Sequence, residues 1–86
     1  MITLNRTLVL NTLIKHETLT LTDIAKEENL GMKPNNQHLQ FLLEELDESG
    51  YVQKLDGATV STYTITTKGI EEGERLKEEN DYLPKG

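Results

Sequence analysis

Residues 39–52 read Leu-Gln-Phe-Leu-Leu-Glu-Glu-Leu-Asp-Glu-Ser-Gly-Tyr-Val, and they hold both the clearest helical pattern in the chain and its end. Leu39, Leu42, Leu43 and Leu46 fall at i, i+3, i+4 and i+7, which at about 100° per residue gathers them on one face. Upstream, Pro34 suits a first helical turn and Asn35 suits the cap, while Gly50 stops the pattern. The spacing therefore predicts a half-buried helix over 35–49. With Leu39 at zero on a helical wheel, the direction away from the leucines lies at about 170°. Gln37, Phe41, Glu44 and Glu48 point along it.

Downstream of Gly50 the pattern turns extended. Tyr51-Val-Gln-Lys-Leu and Val60-Ser-Thr-Tyr-Thr-Ile are rich in β-branched and aromatic residues, and Asp56-Gly57 between them is a hairpin signal. Thr66 or Thr67 can cap a last helix over roughly residues 68–80. Its apolar content is thin, Ile70 and Leu76 with Gly73 between, so only partial burial is expected. Upstream, Val9, Leu10, Leu13 and Ile14 predict a first helix from Asn5 to His16, with Asn5 as its cap. Thr- and Leu-rich residues then predict a turn and a very short extended piece at Thr18–Thr20. Thr20 with Asp23 three residues on resembles a capping box. Leu21, Ile24 and Ala25 supply the buried stripe of a second helix, which Asn29-Leu30-Gly31 ends.

At 86 residues the chain has room for one core. One domain is expected over residues 1–80, with a flexible tail at 81–86. The composition, 35% hydrophobic and 28% charged, lies in the globular range. No cysteine occurs, which excludes disulfides, thiolate metal sites and a cysteine nucleophile and points to an intracellular protein. Ile2, Leu4, Leu8, Val9 and Leu10 are interrupted by Asn5, Arg6 and Thr7, too short a run for a membrane span or a signal peptide. A soluble cytoplasmic protein without membrane contact is expected. The formal charge of −6 is opposite in sign to that of a protein that binds phosphates by bulk attraction. The acid is concentrated in two runs, Glu44, Glu45, Asp47 and Glu48, then Glu71, Glu72, Glu74, Glu78, Glu79 and Asp81, each of which reads as a solvated helix face.

The order helix, short strand, helix, helix, hairpin, helix predicts a mainly α fold with a small β-wing. It resembles the winged helix-turn-helix domains of bacterial and archaeal transcriptional regulators, in the broad manner of the MarR and PadR groups. Three stretches carry the likeness: Leu19-Thr-Leu-Thr-Asp-Ile-Ala, the 39–52 segment quoted above, and Tyr63-Thr-Ile-Thr-Thr-Lys-Gly. The resemblance implies a DNA-binding module with the 35–49 helix in the major groove and residues 51–66 as a wing on the backbone; one such helix and wing reach only a short half-site, so a homodimer on a two-fold related site is expected. By position it implies Asn35, Asn36, Gln37 and Gln40 as base readers, amides that can pair with adenine. It implies Lys33, Lys54, Lys68, Thr59 and Thr62 as phosphate contacts, with backbone donors near Thr20 and Thr22. For each of these residues a plain cap or a solvated side chain is the alternative.

A second reading uses the same fold differently. In the regulators the position of Phe41 is often basic, and here Glu44 and Glu48 follow it. An exposed Phe flanked by carboxylates fits the centre of a protein interface with a polar rim, so an acidic adaptor that meets a basic or apolar protein partner stands beside the DNA reading. Burial of Phe41 against the wing or last helix is the third option. Ile70 and Leu76 are the expected dimer contacts. Catalysis has no support: His16 and His38 lie on different elements, Leu42 stands at i+4 from His38, and Ser49 and Ser61 have no nucleophile context. Gly31, Gly50, Gly57, Gly69 and Gly73 are isolated, so no phosphate loop exists. No enzyme activity, cofactor or metal is expected.

Overall fold

Asn5 caps the first helix as its sequence position predicts: its side-chain oxygen accepts a bond of 2.9 Å from the Leu8 amide, and α1 runs over Arg6–His16. The computed structural model describes residues 3–57 and 59–82, with the side chains of the last helix described as far as Leu76. Glu17 closes α1 at φ 67° and ψ −57°. Its amide donates to Leu13 O, and its carbonyl accepts from the Ile65 amide at 2.9 Å, so the turn hands the chain directly into a sheet.

That sheet is larger than the two-stranded wing expected. β1 (Thr18–Thr20), β2 (Val52–Leu55) and β3 (Thr62–Ile65) form an antiparallel sheet in the order β1-β3-β2. Thr18, Leu19 and Thr20 stand opposite Thr64, Tyr63 and Thr62, while Val52 stands opposite Ile65 and Leu55 opposite Thr62. The three-residue β1 gains its partners only because the distant wing strand returns beside it.

The second helix is also different. It breaks into α2 (Leu21–Ile24) and α3 (Glu27–Leu30), with Lys26 extended between them. Ile24 and Leu30, six residues apart, would lie about 120° from each other on one straight helix. Both are buried, and the break lets Leu30 turn back into the core. The Asn29 side chain secures it by donating to Asp23 O at 2.9 Å.

α4 spans Asn36–Glu48 and buries the four leucines, as their spacing predicts. They join Leu4, Val9, Leu10, Leu13, Ile24, Leu30, Val52 and Tyr63 in one core. α5 covers Thr67–Tyr82. Its start is set by Thr66, whose hydroxyl lies 2.7 Å and 2.9 Å from the Gly50 and Tyr51 carbonyls and accepts from the Gly69 amide at 3.0 Å. Leu76 packs against the core and Ile70 stays exposed. Of the expected tail, Asp81 and Tyr82 belong to α5, and residues 83–86 lie outside the described residues. Among the described residues no helix is long and apolar enough to cross a membrane.

Candidate nucleic-acid interface

α4 stands on the core by its leucines and offers two neighbouring rows to the outside. Asn36 and Gln40, one turn apart, line a cleft of about 240 Å³ together with Leu21, Thr22 and Ala25 from the α2 segment. Gln37 and Phe41, also one turn apart, are exposed on the adjoining row, and the exposed Glu44 and Glu48 continue in the same direction. Phe41 is 57% exposed, so neither the wing nor the last helix covers it. The first turn of α4 contains no acidic residue, and the carboxylates begin only at Glu44. The helix is thus divided along its length: amides and one aromatic ring at the N-terminal half, carboxylates at the C-terminal half.

No protein-family model and no curated protein matches the sequence. Solved structures do match. RosR from H. salinarum superposes with a TM-score of 0.77 at 21% identity, over 99% of this chain and 81% of that one. A winged-helix DNA-binding protein from STIV gives 0.72 at 18% identity, over 84% and 82% of the two chains. A mutant MarR from E. coli, complexed with operator DNA, gives 0.70 at 20% identity over 90% of this chain, which spans only 54% of that one. The chain is a winged helix resembling the MarR type.

In this winged helix several residues assigned to DNA have other partners. Asn35 caps α4, its side-chain oxygen accepting from the His38 amide at 3.1 Å. Thr20 likewise caps α2 by accepting from the Asp23 amide at 3.1 Å, and the Leu21 amide donates to Ser61 O in the wing at 2.9 Å. Two of the three first-turn amides of α2 are thereby committed within the fold. Thr62 is half-buried in the central strand, paired on both sides, rather than on the wing tip. Thr59 is exposed at the wing turn.

Lys68 also has partners within the fold. Its ammonium donates to the Ser49 carbonyl at 2.9 Å and sits 5.3 Å from the Tyr51 ring centroid. It closes the C-terminal end of α4, about 18 Å from Asn36 at about 1.5 Å of rise per residue. Lys33 is exposed in the loop just ahead of the Asn35 cap, and Lys54 is exposed on β2. The Lys54 amide donates to Asp47 at 3.3 Å, which ties the wing to the acidic half of α4. Burial pushes the Tyr63 phenol up; among the charges acting on it Lys54 lowers it, and Glu44, Asp47 and Asp56 raise it. The field at the base of the wing is therefore mixed rather than a single positive strip. Lys26, near the cleft in sequence, is paired with Asp23 at 3.1 Å.

Of the two expected dimer contacts, Leu76 packs against this chain's own core, which leaves Ile70, 39% exposed, on the outside. Among the described residues no group of three or more His, Asp or Glu is placed to hold a metal ion. Sequence reading did not find the roles of Lys68 and Asp47. Each is decided by a partner far along the chain or on another element, the Ser49 carbonyl for Lys68 and the Lys54 amide for Asp47.

Proposed function

We propose that this winged helix is the DNA-reading module of a transcriptional regulator, with the N-terminal half of α4 in the major groove and the wing against the backbone. The observation that carries the reading is the exposed amide set at the α4 tip, Asn36, Gln37 and Gln40, standing ahead of every carboxylate on that helix. Entry by this tip keeps Glu44 and Glu48 toward the groove's mouth, where their repulsion with phosphate is least. A structural neighbour of the same fold, a mutant MarR, is complexed with operator DNA, which supports duplex DNA as the partner. One helix and one wing reach a short half-site, so the working unit is two copies on a two-fold related site.

Two lysines, Lys33 and Lys54, remain as phosphate contacts on each copy. At a slope of roughly −0.9 per neutralised phosphate, log affinity should fall with log salt by about −2 per copy. Titration of the chain with duplex DNA between low and moderate salt measures this. Binding with that shallow dependence is the expected outcome, and no binding even at low salt refutes the reading.

The adaptor reading keeps one specific observation in its favour, the exposure of Phe41 beside Glu44 and Glu48. It predicts a protein partner retained at low salt by the acidic helix and lost in Phe41→Ala, with duplex DNA unable to compete for the same surface.

A further inference from the structure

Phe41 is the most exposed large apolar side chain among the described residues, and it stands in the middle of the surface offered to a groove. The ring is unlike any neighbour on that face. Around it α4 carries Asn36, Gln37 and Gln40 but no Lys or Arg. Guanine is read chiefly by Arg or Lys reaching its O6 and N7, and α4 has neither; its exposed His38 can donate to only one acceptor at a time and so does not replace that bidentate contact. Amides pair with adenine N6 and N7, and the apolar feature of a base edge in the major groove is the thymine methyl group. Gln37 and Phe41 lie one turn apart on the same row, about 5–6 Å between their Cβ atoms. Successive base pairs are about 3.4 Å apart, so that separation spans neighbouring pairs.

We propose that Phe41 is a specificity-determining residue that reads thymine methyl groups, with Gln37 and Gln40 on adenine beside it, so that the half-site is recognised as A·T pairs by apolar contact and amide bonds. The inference rests on the DNA reading given above. It also accounts for the low number of cations at the surface: affinity that comes from burying a ring against methyl groups depends little on salt. Glu44, one turn further on, can accept only from a base amino group, adenine N6 or cytosine N4, and it lies in the half of α4 that docking by the tip keeps toward the groove's mouth.

The test starts from a randomised duplex library of about 20 base pairs, selected against the full chain at low salt. The recovered duplex is remade with deoxyuridine in place of thymidine, which removes only the C5-methyl groups. Each contacted methyl group is worth about fourfold in affinity. The unaltered protein should lose about fourfold or more on the deoxyuridine duplex. Phe41→Ala should bind the thymidine duplex correspondingly more weakly and show no further loss on deoxyuridine. Because the ring is exposed, thermal melting of Phe41→Ala should match that of the parent and show that the variant is folded. Equal affinity of the parent for both duplexes, or a Phe41→Ala variant still sensitive to the methyl groups, overturns the role of Phe41 while DNA binding stands. Failure to recover any duplex overturns the DNA reading itself.

Discussion

Glu17 joins α1 to the sheet in a backbone conformation that its own Cβ opposes. Among the described residues it is the one non-glycine with positive φ, at 67°. The position is held because its amide and carbonyl are both bonded, to Leu13 O and from the Ile65 amide. A side chain in such a region costs on the order of 1 kcal/mol, which glycine relieves. Relief of about 1 kcal/mol less about 0.4–1 kcal/mol for the freer unfolded chain leaves Glu17→Gly neutral to about 0.5 kcal/mol more stable in urea unfolding. A non-glycine elsewhere on the exposed surface replaced by Gly loses stability, and Glu17→Ala keeps the strain. Nothing in His16-Glu17-Thr18 announces this, since the strain exists only because β3 waits to be met. Asn5 and Asn35 are the opposite case. Both were legible as caps, because a cap bonds an amide three residues away and needs no distant partner.

At the scale of elements, the packing of α5 rests on two glycines that differ in kind. A Cβ on Gly69 would run into the Tyr51 carbonyl oxygen, which is backbone and cannot move aside. A Cβ on Gly73 would meet the tip of Ile14, a side chain able to rotate away. Gly69→Ala should lower stability by about 3 kcal/mol, at the severe end of overpacking, whereas Gly73→Ala should change it far less, since the better helix propensity of Ala offsets the contact. Thermal melting of the pair gives the comparison. α4 depends on a long-range partner as well. Lys68→Met keeps the aliphatic stem and removes the ammonium that closes the helix, so stability should fall by about 1 kcal/mol. DNA affinity should stay unchanged in that variant, measured by the same titration, because Lys68 lies at the far end of α4 from the amide tip. A loss of DNA affinity would return Lys68 to the phosphate contacts.

For the molecule as a whole, the acidity that argues against phosphate binding also sets how it responds to pH. The Arg75 guanidinium, bonded to Glu72 at 2.7 Å and 3.0 Å, holds that carboxyl below its ordinary range, with the Tyr51 hydroxyl and Arg6 acting in the same direction. Lys26, then Thr20, lowers Asp23 in the same way. Groups whose folded-state pKa is lowered stabilise the fold above their unfolded values, and that stabilisation is lost as pH falls through the folded ones. Stability should therefore decline on acidification below the ordinary carboxylate range. Glu72→Gln should flatten part of that decline in a pH series of urea midpoints while changing nothing near neutrality beyond the lost ion pair.

The sequence alone determined the elements whose signals are local: the leucine-faced helix of residues 36–48, its Asn35 cap, the first helix, the hairpin and the outward course of Gln37, Phe41, Glu44 and Glu48. Each of these follows from a period or a bond that closes within a few residues, so the chain states it wherever it is read. Tertiary structure decided the third strand, the break at Lys26, the seat of α5 on Gly69 and Gly73, and the bond from Lys68 to the Ser49 carbonyl. Those depend on which surfaces meet across many residues of chain, and a residue's charge or size does not say which partner will reach it first.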